Sequence, residues 1–149
     1  MILLYILYFC FFILILFLVM KNKMNINVKR KEGKMEKEAE YFIKDDTLIV
    51  RLSGDLDHHN AEIIRKKIDN LLDNNRLKNI IMDFINVGFM DSSGIGVIMG
   101  RYKRVAYQKG KIAVVGINKV VDRIFTMAAL YRITEKYEDI EGAYKGLKI

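Results

Sequence analysis

Strand-like and helix-like segments alternate through residues 40–147, and this alternation limits the fold more than any other feature of the sequence. Apolar runs of strand length are separated by segments whose apolar residues recur every three or four positions, as on one face of a helix. The pattern predicts strands at 40–44, 47–52, 79–84, 111–115 and 132–137, and helices at 61–72, 95–107, 118–130 and 140–147. Such an order favours parallel strands joined by helical crossovers. We therefore expect one α/β domain with a mostly parallel central sheet of about five strands and about four helices.

Two polar positions mark the borders of these segments. Asp45-Asp46 separates the first two strands and predicts a hairpin turn. Asn60 precedes the first helical pattern and is a suitable N-cap for it.

The first 34 residues differ from the rest of the chain. Residues 1–20 carry no charge and are long enough to span a bilayer, and under the positive-inside rule the basic residues of 21–34 would place the domain in the cytoplasm. The other interpretation is an upstream extension, because the purine-rich codons of residues 31–34 resemble a ribosome-binding site ahead of Met35. We expect a start at Met35, with 1–34 an apolar segment plus basic linker and 35–149 a complete domain.

Charge is also unevenly distributed. The chain has 25 Lys and Arg against 18 Asp and Glu, but six of the basic residues and one acid lie in the first 34 residues, which leaves 19 against 17 in the domain. A nearly neutral domain gives no support to direct nucleic acid binding. The single cysteine, Cys10, lies outside the domain, so the domain has no disulfide or cysteine-based metal site, which fits the cytoplasm.

The segment Asp91-Ser92-Ser93-Gly94-Ile95-Gly96 lies where a strand pattern gives way to a helical one. Unpaired N–H groups and the positive end of the helix dipole favour negative charge at a helix start. A phosphate suits this position, either on a ligand or attached covalently to a serine. Phe89 and Met90, two large apolar residues just upstream, predict a docking surface beside it.

Other chemistries are less well supported by these residues. The glycines of 94–100 form a loose dinucleotide motif, but the six residues 85–90 separate the strand from the segment 91–96 that contains the first two glycines, so tight backbone packing is their expected role. A hydrolase using Ser92 or Ser93, with His58 or His59 as base, lacks an evident third residue to orient the base. Two adjacent histidines are weak evidence for a metal site. We therefore expect no catalytic residues, no metal and no cofactor.

Two separated motifs resemble the STAS domain family, the anti-sigma factor antagonists. Residues 53–62 (SGDLDHHNAE) are similar to the family segment S/T-G-x-L-D-x-x-x-A, and residues 89–97 (FMDSSGIGV) are similar to its phosphorylation loop. Residues 98–103 (IMGRYK) continue the match. The resemblance covers 35–149 and none of 1–34. Its details are nearest to the sporulation branch, the antagonists of the anti-sigma F factor.

The resemblance implies a regulator of transcription that binds rather than catalyses. Unphosphorylated, it would bind an anti-sigma factor that is also a serine kinase, and so release the sigma factor. Phosphorylation of Ser92 would end the interaction, and a serine phosphatase would restore it. The residues expected to contact the partner are Asp57, His58, Phe89, Met90, Asp91, Ser92, Ser93, Gly94 and Ile95.

Two alternative functions remain open at this point. One is a membrane-tethered STAS module in transport or lipid handling, which requires residues 1–20 to be retained. The other is a STAS domain that senses a nucleotide at the same helix start.

Overall fold

The computed structural model describes residues 38–148, so the expectations for residues 1–34 and for a start at Met35 lie outside the described residues. The elements are β1 (Ala39–Lys44), β2 (Thr47–Leu52), α1 (His58–Asn74), β3 (Asn79–Asp83), α2 (Ser92–Tyr107), β4 (Ile112–Val115), α3 (Lys119–Met127), a 3-10 helix (Leu130–Arg132), β5 (Glu135–Lys136) and α4 (Ile140–Gly146). None of the helices within 38–148 has the length and apolarity that a membrane crossing requires.

The five strands form one sheet in the order β1-β2-β3-β4-β5. β1 and β2 are antiparallel and turn at Asp45, which takes a left-handed φ of 53° that aspartate tolerates better than most residues. Each later strand pairs in parallel with the one before it. The sequence prediction of an α/β fold with a mostly parallel five-stranded sheet and four helices is confirmed for this part of the chain.

The structure departs from the sequence pattern after β4. The helix predicted at 118–130 ends at Met127, because Ala129 takes a left-handed φ of 55° that terminates a helix. The next residues form a 3-10 turn that buries Leu130 in the core. The strand predicted at 132–137 is therefore reduced to Glu135–Lys136.

Helices α1 and α2 also begin three residues earlier than predicted. The cause is the same in both: an aspartate outside the apolar pattern accepts the first backbone N–H groups. For α1 this residue is Asp57, not the predicted Asn60, and for α2 it is Asp91.

Most of the core lies on one face of the sheet, beneath helices α1, α2 and α3. Alternate residues of the inner strands point to this face and are fully buried, namely Leu48, Val50, Leu52, Ile80, Met82, Ile112 and Val114. On the opposite face, Ala143 and Leu147 of the α4 region cover Ile81, Ala113 and Val115. Because β2, β3 and β4 are parallel, the loops that follow them meet at one end of the sheet, which we call the carboxyl end.

Candidate functional site

The loops after β2 and β3 run side by side at the carboxyl end. The Leu56 N–H donates to the Phe89 carbonyl over 3.1 Å, and the Asp91 N–H donates to the Leu56 carbonyl over 3.4 Å. This exchange makes an isolated parallel bridge between Leu56 and Met90. The start of α1 and the start of α2 are thereby brought next to each other.

Asp55 holds the loop that leads into α2. Its Oδ1 accepts the backbone N–H groups of Gly88 and Phe89, both at 2.9 Å. At Gly88 a Cβ atom would stand 3.2 Å from the same oxygen, so a glycine lets the carboxylate approach closely. No local spacing in the sequence indicates this role of Asp55, because its hydrogen bonds join residues 33 or more positions apart. Its position inside the 53–62 motif was the only signal available.

Asp91 caps two helices at once. Its Oδ1 accepts the N–H groups of Ser93 at 2.7 Å and Gly94 at 3.3 Å, in the first turn of α2. Its Oδ2 accepts the N–H of His58, the first residue of α1, at 3.1 Å. A carboxylate between two helix starts satisfies donors of both and lies at the positive end of both dipoles. The two helices are therefore held together at this residue.

Asp57 completes the start of α1. Its Oδ1 accepts the Asn60 N–H at 2.9 Å, and the Asn60 side-chain amide donates to the Asp55 carbonyl over 2.9 Å. Asn60 thus stabilises the loop before α1 and does not cap the helix.

The two serines of the motif have different surroundings. Ser92 is exposed, and within residues 38–148 no side chain or backbone group is hydrogen-bonded to its hydroxyl. Ser93 is half-buried, and its Oγ lies 3.2 Å from Nδ1 of His58. Of the two serines, Ser92 is therefore the more accessible to another protein.

The apolar residues near Ser92 are divided between surface and core. Phe89 is 50% exposed and Ile95 is half-buried, as a docking surface requires. Met90 is 1% exposed, so the prediction that it contacts a partner is wrong. Residues 89 and 90 lie in an extended segment, in which successive side chains point to opposite sides. The side chain of Phe89 therefore faces the solvent, and that of Met90 packs in the core.

Gly94 is also buried, which corrects its place among the predicted contact residues. A Cβ there would lie 2.4 Å from Met90 Cγ and 2.7 Å from the Leu56 carbonyl oxygen, so close backbone packing requires a glycine. Gly96 and Gly100 differ, since a Cβ at either would meet nothing within 4 Å. The packing role predicted for these glycines holds only at Gly94.

The site has limited means for catalysis or metal binding. His58 and Ser93 lie within hydrogen-bond distance of each other, as a base and a nucleophile would. A catalytic base is normally oriented by a third residue, but no residue within 38–148 forms a hydrogen bond with Nε2 of His58. Within 38–148 there is no group of three or more His, Cys, Asp or Glu residues that could hold a metal ion. What the arrangement does offer is an exposed hydroxyl on a fixed helix start.

The sequence profile of the STAS domain matches residues 38–143. The chain belongs to the STAS domain family. It is 39% identical over 102 residues to an anti-sigma F factor antagonist of Paenibacillus polymyxa, an alignment that covers 68% of this chain and 87% of that protein. It is 27% identical over 119 residues to an anti-sigma-B factor antagonist of Bacillus subtilis, covering 80% of this chain and 97% of that protein.

A solved structure supports the same assignment. The anti-sigma factor antagonist SpoIIAA in its unphosphorylated form superposes with a TM-score of 0.66 at 28% identity, covering 74% of this chain and 97% of that one. A Bacillus SpoIIAA has also been solved in a phosphorylated form. The family resemblance found in the two motifs is confirmed, and this chain is a STAS protein of the anti-sigma factor antagonist type.

Proposed function

We propose that this protein binds an anti-sigma factor, that this partner is also a serine kinase, and that phosphorylation of Ser92 ends the interaction. The observation that carries the proposal is the exposed hydroxyl of Ser92, which is free of hydrogen bonds among residues 38–148. Support comes from the relatives named as anti-sigma F and anti-sigma-B factor antagonists and from the two phosphorylation states of SpoIIAA. The protein acts by binding, and its own residues carry out no reaction.

The proposed contact surface is the part of the carboxyl end that surrounds Ser92. Phe89 supplies exposed apolar area, and Ile95 lies one helical turn beyond Ser92. His58 is exposed and Asp57 is half-buried beside them. Aromatic area next to a few polar groups is typical of a protein interface.

The capping of α2 explains why a phosphate here would act on the partner. The N–H groups of Ser93 and Gly94, which could otherwise bind a phosphate, already donate to Asp91. A phosphoserine carries a charge of about −1.5 to −2, and these donors are not free to neutralise it. The charge would instead face the docked protein, beside the carboxylates of Asp57 and Asp91.

The expected effect on affinity is large. An unpaired charge enclosed in a close-packed interface costs several kcal/mol, on the order of 3–5. Because about 1.4 kcal/mol corresponds to a tenfold change in affinity, one phosphate would weaken binding by a hundredfold or more. No change of fold is required.

Calorimetry with the cognate anti-sigma kinase would test this function. Ser92→Ala should bind as tightly as the unmodified protein, whereas Ser92→Asp should bind at least tenfold more weakly. Thr126→Asp is the matched control, since it places the same charge on an exposed residue in the last turn of α3. Equal affinity of the two Ser92 variants would refute the mechanism, as would a phosphate mapped by mass spectrometry to a residue other than Ser92.

The domain limits of 35–149 belong to the same proposal. The family match begins at residue 38, which supports a domain that does not need residues 1–34. Intact mass of natively expressed protein would test a start at Met35. Cell fractionation would test the cytoplasmic location that an anti-sigma factor partner implies, and recovery of the protein in the membrane fraction would favour the tethered alternative.

A further inference from the structure

The two neighbouring serines pose a question of selectivity. Both Ser92 and Ser93 lie in the first turn of α2, and both carry the same hydroxyl. They differ in what surrounds that hydroxyl: Ser92 is exposed and unbonded within 38–148, whereas Ser93 is half-buried with Oγ 3.2 Å from His58 Nδ1. The difference between them is therefore made by a residue of another helix.

His58 is held firmly in the position it needs for this contact. As the first residue of α1, it donates its backbone N–H to Asp91 Oδ2 over 3.1 Å. The other oxygen of the same carboxylate accepts the Ser93 N–H at 2.7 Å. One side chain thus fixes both partners of the contact, and the imidazole reaches Ser93 from a rigid backbone.

We propose that His58 determines which serine is phosphorylated, because it hydrogen-bonds and covers Ser93 and leaves Ser92 as the acceptor. The inference rests on the proposed function. During transfer, a serine Oγ attacks the γ-phosphorus of ATP, and the new O–P bond forms as the bond to the β,γ-bridging oxygen breaks. ADP leaves, and the hydroxyl proton passes to a base of the kinase. The attacking oxygen must lie in line with the leaving oxygen.

The orientation of Ser93 Oγ works against such an attack. The oxygen lies 3.2 Å from the imidazole of His58 in α1 and shares its hydrogen-bonding capacity with that ring, so a kinase that uses this oxygen must break the contact. An imidazole beside a serine can also activate it as a base, which would predict the opposite effect of removing His58. If His58 protects Ser93, removing the imidazole should increase the rate of Ser93 phosphorylation. If His58 activates Ser93 as a base, removing it should decrease that rate.

The experiment uses the full chain with the cognate anti-sigma kinase and ATP, and site-resolved mass spectrometry measures the initial rate at each serine. In a Ser92→Ala background, adding His58→Ala should raise Ser93 phosphorylation at least tenfold. His58→Asn, whose amide can occupy the place of Nδ1, should keep the rate low. His58→Leu keeps the bulk and lacks the hydrogen bond, so it should fall between them. His59→Ala is the matched control and should have no effect.

Either of two outcomes would overturn the inference. One is an unchanged or lower Ser93 rate with His58→Ala when the kinase is saturating, a condition that removes any effect of weaker docking at His58. The other is an equal rise with His59→Ala. Thermal unfolding of each variant checks that the fold is retained. The proposed function fails separately, if wild-type protein receives no phosphate on Ser92.

Discussion

The two ends of the parallel strands hold their acidic side chains in different ways. At the carboxyl end, Asp55 and Asp91 accept backbone N–H groups of the loops and helices around Ser92. At the amino end, Asp45 bonds to side chains, the hydroxyl of Tyr144 and the ammonium of Lys148. Backbone donors are fixed by the fold, whereas a lysine side chain must be ordered to form its bond.

This difference shows how an exposed site can still have a defined geometry. At the carboxyl end, removing a carboxylate would leave backbone donors unpaired and release the loops around Ser92. At the amino end, the ion pairs lie in solvent and are screened by salt. Substitutions at the carboxyl end should therefore change stability more than substitutions at the amino end.

Gly94→Ala should be the most damaging change. The new methyl group would lie 2.7 Å from the Leu56 carbonyl oxygen, a backbone atom that cannot move without breaking the bridge to Met90. Overpacking of this kind costs about 2–3 kcal/mol in free energy of unfolding. Urea denaturation measures this cost, and a variant as stable as wild type would show that the packing around Gly94 can accept a methyl group.

Asp91→Ala should destabilise by about 2 kcal/mol, because one capping residue serves two helices. Asp91→Asn is the matched control: it keeps the Oδ1 acceptor for Ser93 and Gly94 but loses the bond to His58, so about half of the effect should remain. Chemical denaturation of both variants tests this. Equal losses in the two variants would contradict the double capping role.

Asp55→Ala should cost about 1 kcal/mol of stability, since its two bonds to Gly88 and Phe89 lie at the surface. Its effect on affinity for the anti-sigma kinase should be greater than its effect on stability, because Phe89 loses its fixed position. Asp55→Asn retains an acceptor oxygen and should restore much of the binding, as calorimetry would show. If Asp55→Ala binds as well as wild type, the loop does not need this carboxylate.

Gly96→Ala should increase stability by about 0.5–1 kcal/mol, because it removes a helix-interior glycine and the added methyl meets no atom within 4 Å. Gly96 is exposed one turn after Ser92, so affinity for the partner should fall even as the melting temperature rises. Unchanged affinity would place Gly96 outside the contact surface.

Removal of Asp45 should have the smallest effect and should depend on pH. Hydrogen bonds from Tyr144 and then from Lys148 hold the pKa of this carboxyl below its ordinary value of 3.8. A lowered folded-state pKa stabilises the protein above the unfolded pKa, and this contribution is lost as the pH falls through the folded pKa. The melting temperatures of wild type and Asp45→Asn should therefore converge in acid and in high salt. If the two melting temperatures still differ at low pH and in high salt, Asp45 does not stabilise the protein through a surface ion pair.

Local patterns in the sequence determined the class of fold and the position of the helix start. The periodicity of α2 and the apolar run of β3 depend on residues a few positions apart. These features predicted Ser92 near the start of a helix, but they did not predict the cap by Asp91, which begins the helix three residues before its apolar pattern. They also led to the error at Met90, because hydrophobicity alone does not say whether a residue outside a regular element faces the core or the solvent.

Only the tertiary structure decided how the site is held. Asp55 contacts Gly88, and Asp91 contacts His58, although each pair is separated by 33 positions in the sequence. His58 and Ser93, which are also in contact, are separated by 35 positions. These contacts exist because β2 and β3 are adjacent and in register, so their loops end at the same height. A sequence records the spacing of residues within an element, but the register between strands is set by packing of the whole core. For that reason the family resemblance of the motif predicted Ser92, whereas only the fold shows that Ser92 is exposed while Ser93 Oγ lies 3.2 Å from His58 Nδ1.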